Sequence, residues 1–87
     1  MIVEAITDAI ERLGVRVRFE ELSTEDVQGR GGRCRLGEKE MIIIDRGLGA
    51  REKIHILAKE LARLPHDDIY LPPNVREAVE KVAGEND

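Results

Sequence analysis

Residues 41–64, MIIIDRGLGAREKIHILAKELARL, decide the fold because two elements of different periodicity meet in them. Residues 41–44 are all apolar and rich in β-branched side chains, which is typical of a strand covered on both faces. After a glycine-containing loop, apolar residues recur at helical spacing from Ala50 until Pro65 ends the pattern. The apolar stripe of this predicted helix consists of Ile54, Leu57, Ala58, Leu61 and Leu64. A buried strand followed by an amphipathic helix therefore forms the centre of the predicted fold.

The residues before this segment predict one helix and two strands. Helical spacing of apolar residues over 2–13 ends at Gly14, which suits a left-handed cap. Residues 15–20 alternate as a strand does, and residues 21–32 are predicted as a loop because turn and cap residues dominate them. Residues 33–36 should form a second strand that pairs with 41–44 as a hairpin.

A third helix is predicted to begin at Pro72-Pro73-Asn74 and to end at Gly84. The order α-β-β-β-α-α predicts an α+β fold in which a small three-stranded sheet packs on helices. Since 87 residues with 41% hydrophobic side chains support one core, we expect a single domain over residues 1–87.

Composition excludes several classes of function. The longest apolar run, 41–44, is far too short for a membrane span, and the first residues lack the pattern of a signal peptide, so we expect a cytoplasmic protein with no membrane partner. The only cysteine, Cys34, has no internal disulfide partner and is predicted to be a small buried hydrophobe. A net charge of -4 disfavours nucleic acid as a partner, since phosphate contacts normally require a basic surplus.

Residues 59–63, Lys-Glu-Leu-Ala-Arg, have the layout of the zinc-binding helix motif H-E-x-x-H, with Lys59 and Arg63 in place of both histidines. Together with the apolar strand at 41–45 and the lead-in at 54–58, this region resembles the minimal zincin-like domains of the ImmA/IrrE metallopeptidase type. As topology the likeness covers residues 15–83. It implies that Glu60 stands at the general-base position and that Glu77, followed by Ala78, stands at the third-ligand position.

The two replacements remove the metal chemistry of the motif. Arginine has no free nitrogen lone pair and lysine is protonated near neutral pH, whereas a catalytic zinc normally keeps three protein ligands. We therefore expect no metal, no cofactor and no catalytic residue, and we interpret Glu60 as a solvated helix charge. The predicted function is that of a non-catalytic interaction or regulatory module with a protein partner.

Two surfaces are candidates for that interaction. The first is a groove in which Lys59, Glu60 and Arg63 lie near Glu77. The third helix or residues 69–71 are expected to cover this side of the second helix. The charges of the groove either pair with one another or bind an acidic or peptide ligand. The second is the face of the sheet opposite Cys34 and Leu36. It is predicted to carry four arginines around two apolar residues, and it also suits a homodimer: Arg16, Arg18, Arg33, Arg35, Met41 and Ile43.

Two alternative functions stay open at this level. The first is an atypical metal-dependent hydrolase that uses Glu60 as general base with Glu77 and a histidine borrowed from elsewhere, for which His55 and His66 are the candidates. The second is an arginine-mediated nucleic-acid contact, in which the predicted loop at residues 30–33 binds the phosphate backbone and binding is salt-sensitive.

Overall fold

The computed structural model describes residues 2–21 and 31–85, apart from the side chain of Leu36. It contains six elements, which are α1 (Ile2–Arg12), β1 (Arg16–Glu20), β2 (Gly31–Leu36), β3 (Lys39–Asp45), α2 (Ala50–Arg63) and α3 (Pro73–Glu85). This order confirms the predicted α-β-β-β-α-α arrangement. Most of the predicted loop, and with it Arg30, lies outside the described residues.

Local sequence signals place most element boundaries as predicted. Gly14 follows α1 with a φ of 90°, the left-handed conformation that glycine adopts at low cost. The hairpin between β2 and β3 turns at Gly37, whose φ is 65°. Strand β2 is longer than predicted, because Gly31 and Gly32 pair with Ile44 and Ile43 instead of belonging to the loop.

The strand predicted to be covered on both faces is the central strand of the sheet. The strand order is β1-β3-β2, with β3 parallel to β1 and antiparallel to β2. Ile42 and Ile44 point from β3 into the helix layer and are fully buried. They meet side chains from all three helices in one apolar core whose other fully buried members are Ile6, Ile10, Leu57, Leu61 and Val75.

The predicted facing of β2 is wrong. Arg33 lies opposite Ile42 and Arg35 opposite Glu40, while Cys34 lies opposite Met41. Cross-strand partners share a face, so Arg33 and Arg35 lie on the helix side of the sheet and Cys34 on the other side. The turn at Gly37 sets this register, and a shift of one residue inverts every side chain of a strand.

Arg16 and Arg18 do lie on the side opposite the helices, where they pair in register with Met41 and Ile43. We call these four residues the open face of the sheet. Met41 is buried and Ile43 half-buried, but neither belongs to the core cluster that the described helices form. The predicted set of four arginines is thus split between the two sides of the sheet.

No helix among the described residues is long and apolar enough to cross a membrane.

Leu61 provides the test of this core. It is fully buried on α2, so Leu61→Ala should lower the free energy of unfolding by about 2–5 kcal/mol, through lost burial and the cavity left behind. The measurement is urea denaturation at constant pH. Arg51→Ala, at an exposed position of the same helix, is the control and should change stability by less than about 0.5 kcal/mol. Equal losses in the two variants would contradict the orientation of α2 described here.

Candidate functional site

Glu60 is buried, with only 7% of its surface exposed, so its interpretation as a solvated helix charge is wrong. The helix pattern explains the error. Glu60 lies one turn beyond Ile56 and three residues beyond the fully buried Leu57, on the side of α2 that faces β2. Residue type alone predicts that a charged side chain at this position faces solvent, whereas its place on the helix puts it against the sheet.

Two arginines neutralise the Glu60 carboxylate. The Nε of Arg33 donates a hydrogen bond to Oε1 of Glu60 at 3.2 Å, and Nη1 of Arg63 lies 3.8 Å from Oε2. Arg33 also donates from Nη1 to Oε2 of Glu40 on β3, at 3.4 Å. We call Arg33, Glu40, Glu60 and Arg63 the Glu60 cluster. Its two cations and two anions balance, which allows a carboxylate to be buried at this position.

The geometry of the Glu60 cluster follows from a close approach of α2 to β2. Gly31 and Ile56 meet where α2 crosses β2: a Cβ atom built on Gly31 would lie 3.4 Å from Cδ1 of Ile56 and 3.2 Å from the main-chain oxygen of Ile43. Arg33 lies two residues further along β2 on the same face, about 7 Å away. Glu60 lies one turn beyond Ile56, about 6 Å away. The distance from Gly31 to Arg33 along the strand is thus close to the distance from Ile56 to Glu60 along the helix. The contact of Gly31 with Ile56 therefore places Arg33 beside Glu60.

The remaining members of the predicted groove are only partly brought together. Lys59 is half-buried one residue before Glu60, and the side chain of Arg63 is 62% exposed. Glu77 is exposed on α3, and within residues 2–21 and 31–85 no ion pair joins it to Lys59 or Arg63. Glu60 itself is covered by β2, where Arg33 pairs with it.

The histidines lie apart from the Glu60 cluster. Nδ1 of His55 is 3.7 Å from Oε1 of Glu85, which joins α2 to α3. Nδ1 of His66 is 2.8 Å from the main-chain oxygen of Leu64. In the part of the chain that the structure describes, no three side chains of His, Cys, Asp or Glu are grouped as a metal site.

The residues present do not fit the zinc ion that the resemblance implies. Lys59 and Arg63 supply no ligand nitrogen at the motif positions, both oxygens of Glu60 face guanidinium groups, and Glu77 is exposed on another helix. The chemistry of the site is therefore that of an ion cluster.

The open face has a different character. Arg16 and Arg18 are exposed, and Nη2 of Arg18 lies 2.7 Å from Oε2 of Glu20 on the same strand. The predicted phosphate-binding loop is not a loop over its described part, because residues 31–33 belong to β2 and Arg33 is engaged by Glu60 and Glu40.

No protein-family model, curated protein or solved structure matches this chain.

A double-mutant cycle tests whether the Glu60 cluster contributes to stability. For Arg33→Gln and Glu60→Gln we expect a coupling energy of about 1–2 kcal/mol in urea denaturation, because the carboxylate is buried. The exposed pair Asp8 and Arg12, 3.1 Å apart within α1, is the matched control for Asp8→Asn and Arg12→Gln, with about 0.3–0.5 kcal/mol expected. If both cycles give the same coupling, the buried pair has no special part in holding α2 to β2.

Proposed function

We propose that this chain is a non-catalytic, zincin-like interaction module that binds an acidic segment of a partner protein at Arg33, Lys59 and Arg63. The observation that carries the proposal is the burial of Glu60 between two guanidinium groups, at the position where the resemblance places a general base. The zincin-like part of the proposal rests on the resemblance of residues 41–63 to the motif region of those domains.

The pairing of Glu60 argues against hydrolysis. A general base must reach a water molecule beside the scissile bond and accept its proton. Oε1 of Glu60 accepts a hydrogen bond from Arg33, and Oε2 faces Arg63, so each oxygen is directed at a cation of the protein. Catalysis through Glu60 would first require this pairing to break.

The positive charges around Glu60 outnumber the negative charges of Glu60 and Glu40. Arg33, Lys59 and Arg63 carry three positive charges, whereas Glu40 and Glu60 carry two negative charges, which leaves a local excess of one on a chain of net charge -4. Lys59 forms no ion pair with the residues that the structure describes. It shares the solvent side of α2 with Arg63, one turn apart.

These features fit an acidic partner. The exposed guanidinium of Arg63 has the planar fork that holds a carboxylate through two hydrogen bonds, and Lys59 adds a second positive charge beside it. Because Glu60 and Arg33 anchor the base of this surface, the two outer cations are held in place relative to the sheet. A small module of this kind acts by binding to a partner protein, which suits a regulatory role.

The non-catalytic part is tested with protein purified without an affinity tag. After exposure to zinc and dialysis, we expect no stoichiometric metal by elemental analysis, and the melting temperature should not change in excess chelator, because the core is apolar. The protein should not cleave an unfolded protein substrate in the presence of zinc. Stoichiometric zinc together with hydrolysis that Glu60→Gln abolishes would overturn the proposal.

The binding part is tested by NMR titration with a hexaglutamate peptide. Amide shifts should concentrate on α2 near Lys59 and Arg63 and on β2, and they should diminish as salt is added. Lys59→Glu combined with Arg63→Glu should abolish them. Arg76→Glu combined with Lys81→Glu, which makes the same charge change at exposed positions of α3, should leave them intact. An equal loss in both double variants would show that only net charge matters and would contradict a defined site.

A further inference from the structure

The structure points to a second interaction surface, on the outer edge of β1. We propose that β1 pairs with β1 of a second copy of this chain, antiparallel and centred on Arg18, to join two three-stranded sheets. This inference is independent of the proposed function, because β1 lies at the opposite edge of the sheet from β2 and the Glu60 cluster.

Within residues 2–21 and 31–85 no strand pairs with the outer edge of β1, so a neighbouring strand does not use its outward main-chain groups. The main-chain N–H of Arg46 donates to the oxygen of Glu20 at 2.9 Å, so the peptide groups of Glu20 face β3. In a parallel ladder the residues that face the neighbouring strand alternate, so Arg16 and Arg18 face β3 as well. The N–H and C=O groups of Val17 and Phe19 therefore point away from the sheet.

A pairing centred on Arg18 uses these outward groups and forms two kinds of complementary cross-strand pair. Val17 stands opposite Phe19 of the partner subunit, and these two residues exchange both hydrogen bonds, as an antiparallel narrow pair does. On the open face Arg16 stands opposite Glu20 of the partner subunit. Both pairs occur twice, because the arrangement has twofold symmetry.

At the centre of this pairing Arg18 stands opposite Arg18 of the partner subunit. The positive charge of each Arg18 is compensated within its own subunit. Arg18 lies 2.7 Å from Glu20 of the same strand, and in the dimer that carboxylate lies between Arg18 and the partner's Arg16. A register centred on Val17 would instead place Arg16 opposite the partner's Arg18, with like charges facing each other. The charges of β1 thus favour the register centred on Arg18 over the register centred on Val17.

The side chains on the helix side of β1 favour the same pairing. Val17 and Phe19 are half-buried at the margin of the core cluster, with the ammonium of Lys53 5.8 Å from the centre of the Phe19 ring. Pairing with a second copy covers the exposed remainder of both side chains and extends the core across the junction. The guanidinium of Arg46 donates to the Phe19 oxygen at 3.2 Å on the exposed edge, and the partner's Val17 N–H takes its place.

Charge reversal separates this pairing from other modes of association. In sedimentation equilibrium from micromolar to millimolar protein, the unmodified chain should form dimers. Arg16→Glu alone and Glu20→Arg alone should each raise the dimer Kd by about tenfold, because two attractive pairs become repulsive. Mixing the two variants should restore association as a heterodimer, since Glu at position 16 of one variant then faces Arg at position 20 of the other, and the second pair is the unmodified Glu20 with the unmodified Arg16. Arg76→Glu on α3 is the control and should leave the Kd unchanged.

Hydrogen exchange of the unmodified chain supplies a second measurement, which does not depend on how the variants fold. The amides of Val17 and Phe19 should gain protection as the protein concentration rises, whereas the exposed amides of α3 should not. A monomer at millimolar concentration would overturn the proposal. So would a dimer whose Kd is unaffected by Arg16→Glu, or failure of the two folded variants to associate on mixing.

Discussion

The close packing of α2 on β2 is the constraint on which the rest of this structure depends. The two elements meet at Gly31 and Ile56, where a Cβ atom built on Gly31 would lie 3.4 Å from Cδ1 of Ile56. One helical turn and two strand residues further on, Arg33 and Glu60 meet at 3.2 Å. The apolar contact sets the distance between the two elements, and the ion pair fits only when β2 presents Arg33 to the helix.

A buried ion pair of this kind contributes more to the choice of register than to net stability. The cost of removing two charges from water offsets most of their attraction, so a well-packed apolar pair stabilises about as much. A strand slipped by one residue, however, would present Cys34 to Glu60 and leave the buried carboxylate with the exposed Arg63, 3.8 Å away, in place of its hydrogen bond from Arg33, which destabilises the slipped register. Together with the turn at Gly37, the Glu60 cluster therefore specifies which side of β2 faces the helices.

The same arrangement determines what the motif helix does chemically. In a metal site the side chains of such a helix would direct lone pairs toward one point. Here Arg33 and Arg63 enclose the single carboxylate, and the remaining charge lies on exposed cations beside it. In sequence these residues resemble a catalytic motif that has lost its metal ligands. In the structure they form a neutralised carboxylate with exposed cations beside it. This geometry is the basis of the proposed binding of an acidic segment.

The fold class was determined by the sequence alone because its signals are local. The helical spacing of apolar residues in α1, α2 and α3, the glycines at positions 14 and 37, and the apolar run at 41–44 each act within a few residues of chain. They therefore predicted the element order and the hairpin without reference to any distant contact. The loss of ligand nitrogens at Lys59 and Arg63 is equally local, since it depends on residue type.

The site itself was decided by tertiary structure. Arg33 and Cys34 alternate along β2, so the pattern is equally consistent with either residue on the helix side of the sheet. The sequence predicts that the apolar Cys34 faces the core. In the structure Arg33 takes the helix side, because its partner Glu60 is buried on α2. The sequence predicts a solvated Glu60, because an isolated helix contains no information about a guanidinium on a strand 27 residues away in sequence. A buried charge is stable only with its partner, and only the packing of α2 against β2 brings the two together.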